Sequence, residues 1–454
     1  MKKFIVLIFA LNMYLGVSAQ FTPGDTLKYR ISLKDKAATD YSLQKPEKYL
    51  SKKSIERRKK QGLPIDSTDL PVCRTYVDAI RKTGVHVLVT GKWDNFVTVS
   101  CNDSTLISEI AQLPFVRSTE RVWKGITQRA FQRDSLINKP LRTDSLYGPA
   151  ITQAAMSRVD LLHDAGFKGQ GMTIAVIDAG FHNVDKIDAM KNIRILGVRD
   201  FVNPEADIYA ESSHGMSVLS CMAMNQPHVM IGTAPEASYW LLRSEDEYSE
   251  NLVEQDYWAA AIEFADSVGV DLVNTSLGYY SFDDPAKNYR YRDLNGHYAL
   301  MSREAAKAAD KGMVVVCSAG NSGAGSWKKV TPPGDAENVI TVGAMDKNLV
   351  NADFSSVGNT ADGRVKPDVM AVGVSSAVAG NDGTVSRANG TSFASPTFCG
   401  LVACFWQACP WLTAKEVIEA VHRSADRADA PDNIYGYGVS NIWKAYQTEL
   451  KKRK

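Results

Sequence analysis

The 454-residue chain reads as α/β: a three-layer domain built on a mostly parallel sheet, preceded by a small α+β unit. Three observations lead to that class. Unbroken apolar runs rich in β-branched residues recur at 173–177, 271–276 and 313–317, the pattern of strands buried on both faces. Helical stretches at 251–269 and 298–312 stand between them, as crossovers between parallel strands require. Upstream of residue 122 the elements are shorter and fall in a β-α-β-β-α-β order with one extra helix, which fits a ferredoxin-like unit.

In chain order, residues 1–19 come first. Lys2 and Lys3, an apolar core from Phe4 to Leu11 and the small residues Val17-Ser18-Ala19 form a secretory signal peptide. The core is too short to span a bilayer comfortably. Gln20 after the cut offers no thiol for a lipid, so export to the periplasm or the medium is expected, with no stable membrane anchor. Residues 20–122 hold strands at 27–33, 85–89, 96–99 and 115–122 and helices at 50–61, 74–82 and 104–113. The basic run from Lys52 to Lys60, broken by Ile55 and Glu56, is expected to coat a solvated helix, and His86 and Trp93 to pack. Residues 123–147 turn polar, with Arg129, Arg133, Lys139-Pro140 and Arg142 and no periodic apolar face, a linker open to proteolysis. The larger domain, 148–454, follows; Thr413 with Glu416 reads as a capping box opening a helix at 414–424.

The chemistry concentrates in three places. Asn389-Gly390-Thr391-Ser392-Phe393-Ala394-Ser395-Pro396 sets a serine at the mouth of an apolar helix, whose unpaired N–H groups and dipole favour negative charge beside the serine oxygen. Pro396 is read as lying near the first turn, where N–H groups lack partners anyway. A serine nucleophile needs a base and a carboxylate to orient that base. Asp178 ends the strand at 173–177, at the carboxyl edge where open α/β sheets place their sites, and His214 opens an apolar helix after Ser212-Ser213. Between them and Ser392, Asn321 ends the strand at 313–317 in Ser318-Ala319-Gly320-Asn321, where its amide could face an oxyanion. The strand at 271–276 ends in Leu277-Gly278, an edge suited to an extended peptide.

The order Asp, His, Ser, with Val176-Ile177-Asp178-Ala179-Gly180, Ser213-His214-Gly215, Asn274-Thr275-Ser276-Leu277-Gly278, Ala319-Gly320-Asn321 and Gly390-Thr391-Ser392-Phe393-Ala394-Ser395-Pro396, resembles the subtilisin-like serine endopeptidases, the subtilases, over about residues 150–447. The resemblance implies a subtilisin-like fold and assigns Ser392 as nucleophile, His214 as general base and then acid, and Asp178 as the group that holds the imidazole. It implies Asn321 in the oxyanion hole, Ser276, Leu277 and Gly278 pairing with the substrate backbone, and Ala319 and Gly320 lining one wall of the primary specificity pocket. It also implies that 20–122 is a propeptide that chaperones and inhibits the enzyme until self-cleavage in 123–147; a permanent accessory domain is the alternative. Three departures from the family pattern stand out: Ala179 for Thr or Ser, Met216-Ser217 for Thr-His, and Phe393 for Met.

The expected function is therefore an exported, autoprocessed serine endopeptidase acting through an acyl-enzyme at neutral to mildly alkaline pH. Its partners are protein or peptide substrates and its own prodomain, and a monomer is expected. A net charge of +1 implies neither nucleic acid nor an anionic membrane. No cofactor is required; structural Ca²⁺ is left without assigned ligands, Asp283-Asp284 reading as a solvated loop. Seven cysteines allow no disulfide assignment, and Cys399, Cys404 and Cys409, five apart, scatter around a helix instead of forming a zinc site. Tyr279, Tyr280 and Ser322 suggest a neutral pocket that takes apolar P1 residues. The rival from another class is an inactive protease scaffold serving as a binding or inhibitory module; a gap among the four polar site residues would have favoured it. An esterase would want Gly-x-Ser-x-Gly and the opposite residue order. Because Phe393 replaces an oxidisable thioether, activity is expected to survive peroxide; inactivation accompanied by methionine sulfoxide elsewhere in the site would contradict this.

Overall fold

The computed structural model describes residues 27–123, 125, 136–137 and 145–453. The segment 1–19 read as a signal peptide and most of the linker lie outside the described residues.

The N-terminal unit is a four-stranded antiparallel sheet of β1 (Leu27–Leu33), β2 (His86–Gly91), β3 (Phe96–Cys101) and β4 (Val116–Trp123), ordered β2-β3-β1-β4. Helices α2 (Arg74–Arg81) and α3 (Thr105–Ala111) cover one face, where Ile31, Val97, Val99, Ile80, Ile107 and Ile110 close a small core. This is the ferredoxin-like order expected, with α1 (Lys52–Gln61) as the extra helix.

All six residues of β3 are buried, although an antiparallel sheet can leave one face wet. The second face is covered by α5 (Val253–Val268) of the larger domain, and Val89, Trp93, Phe96 and Val122 join that domain's core. Polar groups follow them in. Thr98 Oγ1 donates to Asp256 Oδ2 at 2.7 Å, Arg30 Nε to Asp256 Oδ1 at 2.7 Å, and the N–H groups of Lys92 and Trp93 to the Glu263 carboxylate at 2.6 and 2.8 Å.

The basic run is not a solvated face. Arg57 and Arg58 are buried and both pair with Asp266; Arg58 also reaches Asp69 at 2.8 Å, and Lys92 reaches Asp266 at 3.2 Å. Three cations around one buried carboxylate hold it far below the usual aspartate range, against the upward push of burial. Helix periodicity puts Ser54, Arg57 and Arg58 on one side, so the run is half solvated and half an anchor on the larger domain.

That domain has a seven-stranded parallel sheet. In chain order the strands are β6 (Thr173–Asp178), β7 (Arg194–Asp200), β8 (Ser238–Arg243), β9 (Leu272–Thr275), β10 (Val314–Ser318), β11 (Ile340–Met345) and β12 (Val369–Val372), with spatial order β12-β11-β10-β9-β6-β8-β7. Ile174 and Val176 point to one core, beneath α4 (His214–Ala223) and α7 (Thr391–Ala408); Ala175 and Ile177 point to the other, beneath α5 and α6 (Leu300–Asp310). Three layers result, as the alternating pattern requires. The capping box at Thr413 and Glu416 opens α8 (Ala414–Ser424). A hairpin of β13 (Ser376–Ala379) and β14 (Val385–Ala388) leads into α7, and the short linker strand β5 (Leu136–Ile137) pairs with Ala388 and Arg387 of β14.

Replacing Asp266 with Ala takes the carboxylate from buried Arg57 and Lys92 and leaves Arg58 with Asp69 alone. Made in the uncleaved Ser392→Ala chain, it should lower the unfolding free energy by about 3–5 kcal/mol, read as a shift of the urea midpoint at unchanged slope. A shift below about 1 kcal/mol would show that the cluster is not a stabilising anchor.

Candidate active site

β6 and α7 deliver the chemistry to the same edge of the sheet. Asp178 is the last residue of β6 and has no solvent exposure. His214 is the first residue of α4, and its Nδ1–H donates to Asp178 Oδ1 at 2.6 Å. Gly215 makes that approach feasible: a Cβ there would stand 2.9 Å from Asp178 Cβ and collide with the Gly180 carbonyl oxygen. The Ala179 N–H donates to the same Oδ1 at 2.8 Å, and Ser212 Oγ accepts from the His214 N–H at 3.2 Å.

At the first departure, Ala179 offers no hydroxyl. Among the described residues, buried Asp178 Oδ2 has no hydrogen-bond partner, and neither has the hydroxyl of neighbouring Ser244, whose N–H donates to the Asp178 carbonyl at 3.0 Å. Ser217, the second departure, is structural: its hydroxyl donates to the Ala379 carbonyl at 2.9 Å and ties α4 to β13. Phe393, the third, is 2 % exposed, and its ring centroid lies 6.1 Å from that of His214. The imidazole therefore sits beside the first turn of the helix that carries Ser392.

Gly390 caps α7, which places Ser392 at its second position and Pro396 at its sixth. Pro396 is thus inside the helix and not near its first turn. It cannot supply the N–H that the Ser392 carbonyl would accept from four residues on. Ser276 Oγ fills that role, donating to the Ser392 carbonyl at 2.9 Å, while Ser395 Oγ donates to Asn274 Oδ1 at 2.8 Å. The end of β9 is thereby tied to the nucleophile's turn by side chains, and the backbone of Ser276, Leu277 and Gly278 is left for other partners.

Asn321 is exposed, and its Oδ1 accepts from the Thr391 N–H and the Thr391 hydroxyl, each at 2.9 Å. Because the backbone N–H can only donate, the atom facing it is oxygen, and the amide nitrogen is not the atom engaged by Thr391. The Gly320 N–H donates to Thr391 Oγ1 at 3.2 Å, which fixes the Ala319–Asn321 strip against the same turn. A dyad of imidazole and buried carboxylate, a helix-start hydroxyl and an amide donor can together support nucleophilic attack on a carbonyl and stabilise the resulting oxyanion.

Tyr279 and Tyr280 follow the Gly278 edge, but neither behaves as an open pocket wall. Tyr279 is buried and donates to Glu245; Tyr280 stacks on Trp327 at 4.5 Å. Behind Tyr279, carboxylate oxygens of Glu245, Glu250 and Glu254 lie within 4.8 Å of one another, the set of acids among the described residues able to hold a cation. Burial first, and then one another's charge, push the Glu245 and Glu254 carboxyls well above the usual range, toward the protonated form. Asp283 accepts from the Glu250 N–H at 3.1 Å and the Asn251 amide at 3.2 Å, so it braces this loop instead of being merely solvated. These buried acids escaped the sequence reading, because isolated glutamates in a polar stretch carry no period or motif. All seven cysteines are buried, and none is assigned to a disulfide.

Residues 169–438 match the Subtilase family, peptidase S8, and residues 28–136 match the Peptidase S8 propeptide domain of Bacteroidota. Subtilisin DY of Bacillus licheniformis is 30 % identical over 292 residues, 64 % of this chain and 96 % of the relative. Serine protease AprX of Bacillus subtilis is 30 % identical, covering 64 % of this chain and 69 % of the relative. The crystal structure of the epidermin leader peptide processing serine protease from Staphylococcus aureus shares the fold, with a TM-score of 0.66 at 17 % identity over 93 % of this chain and 98 % of that one. The chain belongs to the subtilase family: it is a serine endopeptidase preceded by a propeptide domain.

Proposed function

We propose that Ser392 attacks the scissile carbonyl while His214 Nε2 accepts its proton and later returns it to the leaving amine. Asp178 holds the ring and balances the imidazolium charge. Asn321 Nδ2 and the Ser392 N–H bind the oxyanion, and the backbone of Ser276, Leu277 and Gly278 pairs with the substrate as an added strand. The single observation that carries this reading is the 2.6 Å bond between His214 and the buried Asp178, made beside the turn that bears Ser392.

The chain is an exported zymogen in this reading, cleaved by itself within 123–147. The small sheet pairs its second face with α5, which supports a propeptide that blocks or templates the larger domain until it leaves. Leu136–Ile137, hydrogen-bonded to β14 four residues before Ser392 at its nearest, brings the linker toward the nucleophile. No helix among the described residues is long and apolar enough to cross a membrane. An inactive scaffold finds no support in the site, where every polar role has an occupant.

Expression of wild type beside Ser392→Ala tests the reading. Wild type should mature to a fragment starting within 123–147, label with a fluorophosphonate and hydrolyse peptides. Ser392→Ala should stay full length, resist labelling and lose about 10⁴–10⁶ in turnover. Equal maturation of both would show that another protease cuts the linker. Equal turnover would remove Ser392 from the chemistry.

A further inference from the structure

A cavity of about 650 Å³ lies where the end of α1 meets the turn from α6 into β10 and the start of α8. Its volume is that of a small-molecule site. It shares no residue with the site at Ser392. Leu63, Met313, Val339, Ile418 and Tyr437 give it an apolar wall. Gln61, at the end of α1, spans the two domains: its Nε2 donates to the Gly312 carbonyl at 2.7 Å, and its Oε1 accepts from the Ala414 N–H at 2.8 Å. With Gln61 and Leu63 in its wall, the cavity is complete only while the N-terminal unit is docked.

Two polar side chains of this wall lack acceptors. Arg364 donates from Nε to Asp362 at 2.8 Å, but its Nη1 and Nη2 are buried with no hydrogen-bond partner among the described residues. His422 stacks on Tyr437, ring centroids 4.3 Å apart, and its Nε2 is likewise buried without a hydrogen bond. Asp368 Oδ1 stands 3.7 Å from that nitrogen, beyond hydrogen-bonding reach. The other oxygen of Asp368 is taken by Lys366 Nζ at 2.6 Å and the Thr341 N–H at 2.7 Å.

Unpaired buried donors are costly and rare, and each asks for an acceptor. A guanidinium with both terminal nitrogens free is a fork that matches the two oxygens of a carboxylate. At the rim, Asp310, Glu337 and Glu419 are exposed, and their charges disfavour a ligand that carries more than one negative charge. The wall therefore suits one anionic group on an apolar body.

We propose that this interdomain cavity binds an apolar monocarboxylate, of the kind a fatty acid or the C-terminal residue of a peptide presents. Arg364 and His422 hold the carboxylate, and Leu63, Met313 and Ile418 cover the apolar part. The site does not depend on the peptidase reading. Because it needs walls from both domains, its ligand favours the docked N-terminal unit by linkage.

Isothermal titration of the uncleaved Ser392→Ala chain tests it with octanoate, N-acetyl-leucine, 1-octanol and inorganic phosphate. Octanoate or N-acetyl-leucine should bind at one site with a Kd below about 1 mM, and the tighter of the two identifies the source. Octanol and phosphate should bind about tenfold more weakly or worse. Arg364→Gln should weaken the carboxylate by about 10–100-fold. Leu63→Trp, which fills the cavity from the N-terminal unit, should abolish its binding. If Arg364→Gln does not fold, Leu63→Trp and the octanol comparison decide. No saturable binding of either carboxylate would overturn the proposal. So would octanol or phosphate binding as tightly, or carboxylate binding left unchanged by both substitutions.

Discussion

A carboxylate without solvent exposure has to be compensated, and Asp178 obtains its compensation from the His214 ring and the Ala179 N–H. That requirement orders the site. The ring must enter from the first position of α4, so α4 must run close against the end of β6. Only a residue without a side chain at 215 lets it come so near. With Nδ1 donating to the carboxylate, the pairing sets the tautomer of the neutral ring. One oxygen of Asp178 carries both bonds, and among the described residues Oδ2 has no hydrogen-bond partner.

The same logic of buried charge governs the contact between the two domains. Asp256, Glu263 and Asp266 all lie on α5 and all meet the N-terminal unit, through Arg30, Lys92, Trp93, Arg57 and Arg58. Burial pushes Asp256 and Glu263 upward despite their cationic partners, whereas three cations hold Asp266 down. Buried ion pairs add little net stability over apolar packing, but they penalise any other docking position severely. They therefore define one pose of the N-terminal unit, with β3 enclosed between two cores.

Much of this was legible in the sequence, for reasons that can be named. Parallel strands buried on both faces leave continuous apolar runs, so β6, β9 and β10 stood out within a residue or two of their ends. Asp178, His214, Asn321 and Ser392 were legible because each sits where a strand or helix begins or ends, and such places carry Gly, Ser and Asn signals. What escaped notice depends on contacts far apart in the chain. Arg57 and Arg58 look like surface charge until Asp266, over 200 residues away, is placed beside them. Pro396 did carry a local signal: a proline four residues after Ser392 must orphan the serine carbonyl. Its partner, Ser276, could only be found in space.

The account depends most on Asp178 holding His214 through Nδ1. Proton NMR of Ser392→Ala, with histidine ring nitrogens labelled, measures that bond directly without interference from self-cleavage. A strongly deshielded Nδ1 proton assigned to His214, absent in the Asp178→Ala double variant, is the result predicted. No such resonance, or one that survives removal of the carboxylate, would contradict the arrangement.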